Sequence, residues 1–282
     1  MRKQARDTKP SFACFPYNTE VFILKRVILF LIIICLLVFV FAGYKIASEL
    51  KAQRTEINDF NELAELITEG TSTQEQTEPT IEQENNITIE TETVPIIATR
   101  NLAPLFERNA DCIGWVYIEG TAVDYPVMHT PDDPQRYLRK NFDKEYSSAG
   151  VPFLNGICTL DCDHLILYGH NMKNGTMFSD VTQYRNKNYY LEHPIIEFET
   201  AQGLKCYAIF AVVQVKNNDG WYAFHTAADE IEYDTKIAEI MERTLYDTEI
   251  TPIYGQQLIT LSTCYGATKN DRIIVVGVEI HD

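Results

Sequence analysis

The sequence predicts a mainly β domain, a closed barrel or a sandwich with one inserted helix, carried behind an N-terminal transmembrane helix. Three observations predict this: an uncharged apolar run near the N-terminus, an acidic stretch with little to bury, and eight strand-length apolar runs after residue 101. The chain has 282 residues, 45% of them hydrophobic, enough for a real core. Forty acidic side chains outnumber 24 basic ones, a net charge of −16. A nucleic-acid binder needs a basic face to displace phosphate counterions, so that class is excluded.

Residues 27–44 hold no charge and are nearly all Val, Ile, Leu or Phe. As a helix rising about 1.5 Å per residue they span about 27 Å, close to the bilayer's hydrocarbon core. The run exceeds a signal-peptide h-region and no A-x-A-like cleavage site follows, so it reads as an uncleaved signal anchor. Six basic and two acidic side chains precede it. The positive-inside bias then places a tail, 1–26, in the cytoplasm and everything after the span outside, as a single-pass protein of the cell membrane. Residues 45–99 are expected to continue the helix to about 69 and then to form a flexible stalk. From 55 to 99 there are eleven acidic residues and no Lys or Arg, and 71–93 are mostly Thr, Glu, Gln and Asn. Such a composition buries too little apolar surface to offset its ordering entropy.

Residues 100–282 form the predicted globular domain. The eight runs are 113–118, 122–128, 151–154, 164–168, 195–200, 204–215, 257–263 and 272–280, rich in β-branched and aromatic residues and bounded by Gly, Asn, Asp or Pro. Between 228 and 246, Ile237, Ile240, Met241 and Leu245 recur at helical spacing, with Thr226 and Asp229 as start signals, which places one helix before the last two strands. No phosphate loop, no H-E-x-x-H and no internal repeat is present, so neither a metal nor a cofactor is expected.

The chemistry gathers at the C-terminus. Cys264 ends one strand run and Arg272 opens the next, seven residues apart in loop, so a hairpin sets them opposite each other. A free thiol is only a few per cent thiolate at pH 7, and a nearby guanidinium both activates it and offers donors to an oxyanion. A His is then needed to protonate a leaving amine. His170 is the candidate, because it follows the run 164–168 and Gly169 and precedes the polar turn from Asn171 to Gly175. His129, His164, His193, His225 and His281 read as turn or surface residues.

Thr260-Leu261-Ser262-Thr263-Cys264 followed by Arg272 resembles the T-L-x-T-C…R signature of the sortases, membrane-anchored cysteine transpeptidases of Gram-positive bacteria. The stretch from Tyr168-Gly169-His170-Asn171 to Phe178, with Tyr189-Tyr190, His193-Pro194, Gly114-Trp115 and Gly120-Thr121 leading to Asp124-Tyr125-Pro126-Val127, resembles class B in particular. The resemblance covers about 102–280. It implies a closed eight-stranded barrel, with Cys264 as nucleophile, His170 as general acid and Arg272 stabilising the oxyanion or substrate. It also implies cleavage after Thr in a C-terminal sorting motif, of an Asn-Pro-x-Thr or Pro-x-Thr-Gly type. The acyl group then passes to a cell-wall amine, so that surface proteins and a peptidoglycan peptide are the partners. Ser262 and Thr263 would line the substrate groove, as would Tyr184 or Tyr190. Two departures stand out: the loop 265–271 is short for class B, and Pro134 occupies a place where similar enzymes often carry a polar residue. A thiol protease that hydrolyses its acyl-enzyme and a non-catalytic binding barrel are the alternative readings.

Of the remaining cysteines, Cys14 and Cys35 lie before or inside the span. Cys112, Cys158, Cys162 and Cys206 are expected as unpaired thiols, since Cys158 and Cys162 lack a second matching pair for a metal site.

Overall fold

The computed structural model describes residues 19–68 and 100–280. The tail to residue 18, the predicted stalk from 69 to 99 and His281 lie outside the described residues. Two compact units divide at Thr55/Glu56. In the first, helix α1, Thr19–Thr68, begins, and residues 27–44 on it are exposed all round. A helix uniformly apolar on every face has no core-facing stripe, and this one is long and apolar enough to cross a membrane.

The second unit runs from Glu56. Its strands are β1 (Cys112–Tyr117), β2 (Asp124–Met128), β3 (Phe153–Leu154), β4 (His164–Tyr168), β5 (Ile195–Thr200), β6 (Gly203–Lys216), β7 (Leu258–Cys264) and β8 (Asp271–Glu279). They close in the order β1-β2-β3-β4-β7-β8-β6-β5, which makes the domain a barrel and removes the sandwich alternative. Closure leaves no unpaired sheet edge among these strands.

The two-residue period of a strand explains why β7 and β8 are buried almost end to end. Ile273 and Val275 point into the barrel with Ile259 and Leu261. Ile274, Val276 and Val278 point outward, beneath Trp221, Tyr233, Ile237 and Ile240. The last three of those belong to helix α4, Glu230–Met241, the inserted helix, which starts where Asp229 accepts the Glu232 N–H. Two short helices were not legible beforehand, α2 (Ala103–Arg108) and α3 (Lys187–Glu192). One and a half turns are too few to set up a recognisable period.

A third layer revises the domain boundary. The sequence reading began the globular domain at residue 100, yet Phe60, Leu63 and Ile67 of α1 are buried with Leu105, Trp115, Tyr125 and Met128. Their i, i+3, i+7 spacing puts them on one helical face. Phe60 meets Tyr125 edge to face at 5.1 Å, and the Ile67 carbonyl accepts the Asn101 N–H at 3.2 Å. The end of α1 is therefore part of the barrel domain.

Candidate active site

Strand direction builds the site. β4 and β7 run parallel, with Tyr168 beside Ser262, so their C-terminal ends emerge at the same rim of the barrel. His170 lies two residues beyond Tyr168, and Cys264 two beyond Ser262. β8 returns antiparallel, and its register pairs Arg272 directly with Cys264. Three neighbouring strands thus deliver His170, Cys264 and Arg272 to one groove of about 390 Å³, lined by all three.

Hydrogen bonds fix the exit of β4 against β7. The Thr263 hydroxyl donates to the Gly169 carbonyl at 2.7 Å, Gly169 N–H donates to the Ser262 carbonyl at 3.2 Å, and the Asn171 amide donates to the Cys264 carbonyl at 2.9 Å. His170 Nε2 lies 2.9 Å from the Leu138 carbonyl. A carbonyl only accepts, so Nε2 carries a proton and Nδ1 is the ring atom left for proton exchange. Burial lowers the His170 pKa; the Leu138 contact opposes that shift and the Arg139 guanidinium adds to it. Arg272 is held by its own loop, Nη1 donating to the carbonyls of Lys269 at 2.8 Å and Asp271 at 2.9 Å. Cys264 is exposed.

Of the expected groove residues, Ser262 and Thr263 line it. Tyr184 and Tyr190 do not: Tyr184 is fully buried in the barrel core with its hydroxyl on the His193 carbonyl, and Tyr190 packs on Tyr246. Both are core side chains, buried in the same cluster as Ile196, Phe198 and Tyr207. Tyr222 was missed. It follows β6 in a short 3₁₀ turn, stacks on Tyr168 at 5.9 Å and shares a 2.8 Å hydrogen bond with the Ser262 hydroxyl. Its only sequence signal is an Asp219-Gly220 turn opening before two aromatics. Leu138, Val151 and Phe153, which also line the groove, were likewise unassigned, since apolar residues there read simply as core.

His164, read beforehand as a turn or surface residue, is fully buried. Its ring spans the Phe224 carbonyl and the Thr260 hydroxyl, each at 2.7 Å, and the Trp221 indole N–H donates to the same hydroxyl at 3.0 Å. Burial pushes its pKa down to about 3. Thr260 therefore has a structural task within β7, tying it to His164 and Trp221. Among the described residues no two cysteines are joined. Cys112 and Cys158 are buried, which pushes their thiols up to about 12 and about 11.

Comparison with known proteins supports the fold. Residues 116–280 match the family model for the sortase domain. Sortase B of Listeria monocytogenes is 28% identical over 256 residues, covering 88% of this chain and 94% of that protein. Among solved structures, Clostridium perfringens sortase B superposes with a TM-score of 0.60 at 29% identity, covering 64% of this chain and all of that one. The Staphylococcus aureus sortase B–substrate complex gives 0.59 at 26%, covering 63% and 83%. With a matched domain that includes Cys264, His170 and Arg272 within one closed barrel, this chain belongs to the sortase family and is class B-like.

Proposed function

We propose that this chain is a membrane-anchored cysteine transpeptidase that cleaves a C-terminal sorting motif after Thr and transfers the acyl group to a cell-wall amine. The observation that carries the reading is the register of Cys264 against Arg272 with His170 just beyond the end of the adjoining parallel strand, all lining one groove. In this reading the Cys264 thiolate attacks the Thr carbonyl carbon, forming a C–S bond and an oxyanion. The three guanidinium donors on Nε and Nη2 of Arg272 meet that charge, a kind of contact whose loss costs about 10²–10³ in rate. The intermediate collapses with cleavage of the C–N bond, and the His170 imidazolium gives its Nδ1 proton to the departing amine. An incoming amine then attacks the thioester, yields its proton to His170 and releases the thiolate. Only the nature of the second nucleophile separates transpeptidation from hydrolysis.

The solved S. aureus relative is a sortase B–substrate complex, which supports a substrate as occupant of the groove here. The basic residues before the apolar helix support a cytoplasmic N-terminus and an extracellular barrel acting on surface proteins. The test is cleavage of sorting-motif peptides by the full chain in micelles, with and without a short amine acceptor, read by mass spectrometry. An amide product that disappears in Cys264→Ala is expected. Turnover retained by Cys264→Ala would overturn the chemistry, and a free acid formed in excess amine would make the enzyme a protease.

A further inference from the structure

The Glu56 side chain on α1 makes an unusual set of contacts for a helix so far from the catalytic residues in sequence. Its Oε1 accepts from the Ser147 hydroxyl at 2.7 Å, the Ser148 N–H at 3.0 Å, the Ser148 hydroxyl at 3.3 Å and the Ala149 N–H at 3.4 Å. The Ser147 hydroxyl, having donated to Glu56, accepts the N–H groups of Ala149 and Gly150, both at 3.1 Å. One carboxylate oxygen thereby organises a whole turn through charge-assisted hydrogen bonds.

That turn is laid directly on the segment that holds His170. Ser147 N–H donates to the Arg139 carbonyl at 3.1 Å, Arg139 Nη1 to the Ser148 carbonyl at 3.0 Å, and Val151 N–H to the Tyr137 carbonyl at 3.1 Å. Gly150, at φ +64°, brings its backbone so close that a Cβ would strike the Tyr137 and Leu138 carbonyl oxygens. The Leu138 carbonyl is the one that receives His170 Nε2, and Leu138, Ala149 and Val151 all line the catalytic groove.

We propose that Glu56 is a positioning residue of the active site: it clamps the Ser147–Ala149 turn onto residues 137–139 and thereby fixes the Leu138 carbonyl that orients the His170 ring. The proposal rests on the assignment of His170 as general acid. It makes the end of the anchoring helix a working part of the site, since the same helix that enters the membrane-length apolar run supplies the clamp.

The experiment uses the full chain in micelles, with Glu56→Ala and Glu56→Gln compared with wild type by three measurements. The first is kcat and KM for sorting-peptide cleavage, the second thermal unfolding, and the third ¹⁵N NMR of the neutral His170 ring, assigned with His170→Gln. Glu56→Ala is expected to lower kcat about tenfold with KM little changed, the scale of a misplaced catalytic group. Its His170 ring should pass from a single Nε2–H tautomer to a mixture. Glu56→Gln keeps an acceptor oxygen of the same shape and should restore the tautomer and bring kcat to within about threefold of wild type. A folded Glu56→Ala protein with the wild-type tautomer would overturn the proposal, whatever its rate, and so would an unchanged kcat below its unfolding temperature. Should the wild type cleave no sorting peptide, the assigned function fails while the tautomer comparison still decides whether Glu56 holds the ring.

Discussion

Leu63→Ala measures whether the end of α1 belongs to the barrel's cooperative unit. Leu63 is only 2% exposed and packs in the same layer as Trp115 and Tyr125. Truncation at a site this closed removes the transfer free energy of the lost carbons and leaves a cavity, together about 3 kcal/mol within the range known for buried Leu→Ala changes. That is a large part of the 5–15 kcal/mol typical of a folded domain. At about 2–4 °C per kcal/mol for a domain of this size, the midpoint should fall by about 6–12 °C. The assay is thermal and denaturant unfolding of the full chain in micelles, followed by tryptophan fluorescence. Trp115 belongs to the same core cluster as the substitution and Trp221 to the separate cluster that includes α4, so a cooperative unit requires both signals to shift together. A change below about 0.5 kcal/mol would refute the reasoning, as would a shift confined to Trp115. By the same logic a chain trimmed to residue 100 loses Phe60, Leu63 and Ile67 at once and should be markedly less stable than one trimmed to residue 56.

Three further outcomes follow from the packing and the titration of buried groups. A membrane-impermeant thiol reagent at neutral pH should label Cys264 first, because it is exposed while burial holds Cys112 and Cys158 as thiols; mass mapping that finds either buried cysteine modified faster would contradict this. Burial pushes the His164 pKa down to about 3 from its ordinary value of about 6.5, so the unfolded state takes up its proton first and stability is lost as pH falls below about 6.5. Between pH 7.5 and 5 this residue alone should cost about 2 kcal/mol in denaturant unfolding, and His164→Gln should flatten the slope; an equal slope in that variant would dismiss His164 as the source. Gly169→Ala places a Cβ 2.5 Å from the buried Phe178 ring, which must shift the exit of β4; about 1–3 kcal/mol of stability and at least tenfold in kcat/KM should go, and wild-type kinetics would show the rim to be looser than the packing implies.

How much was legible beforehand differs by element. The eight strands could be read because β-branched runs bounded by turn residues carry their own local signal, and α4 because Ile237, Ile240 and Met241 repeat at helical spacing under an Asp229 cap. The opposition of Cys264 and Arg272 was legible too, since a seven-residue loop between two strands leaves a hairpin as the simplest geometry. The Phe60, Leu63, Ile67 stripe was present in the sequence but gave no indication of its partner, so that segment read only as a helical continuation of the anchor.

The sequence by itself determined what is local or periodic: the apolar run, the strand set, the hairpin that sets Cys264 opposite Arg272, and the T-L-x-T-C motif. Tertiary structure alone decided what depends on long-range pairing. Parallel β4–β7 pairing brings His170 to the rim beside Cys264, across more than ninety residues of chain. Closure of the barrel sends Tyr184 and Tyr190 into the core and leaves Tyr222, Leu138 and Val151 to form the groove. A side chain's face is fixed by strand register and by which neighbour covers it, and neither is encoded in the few residues around it.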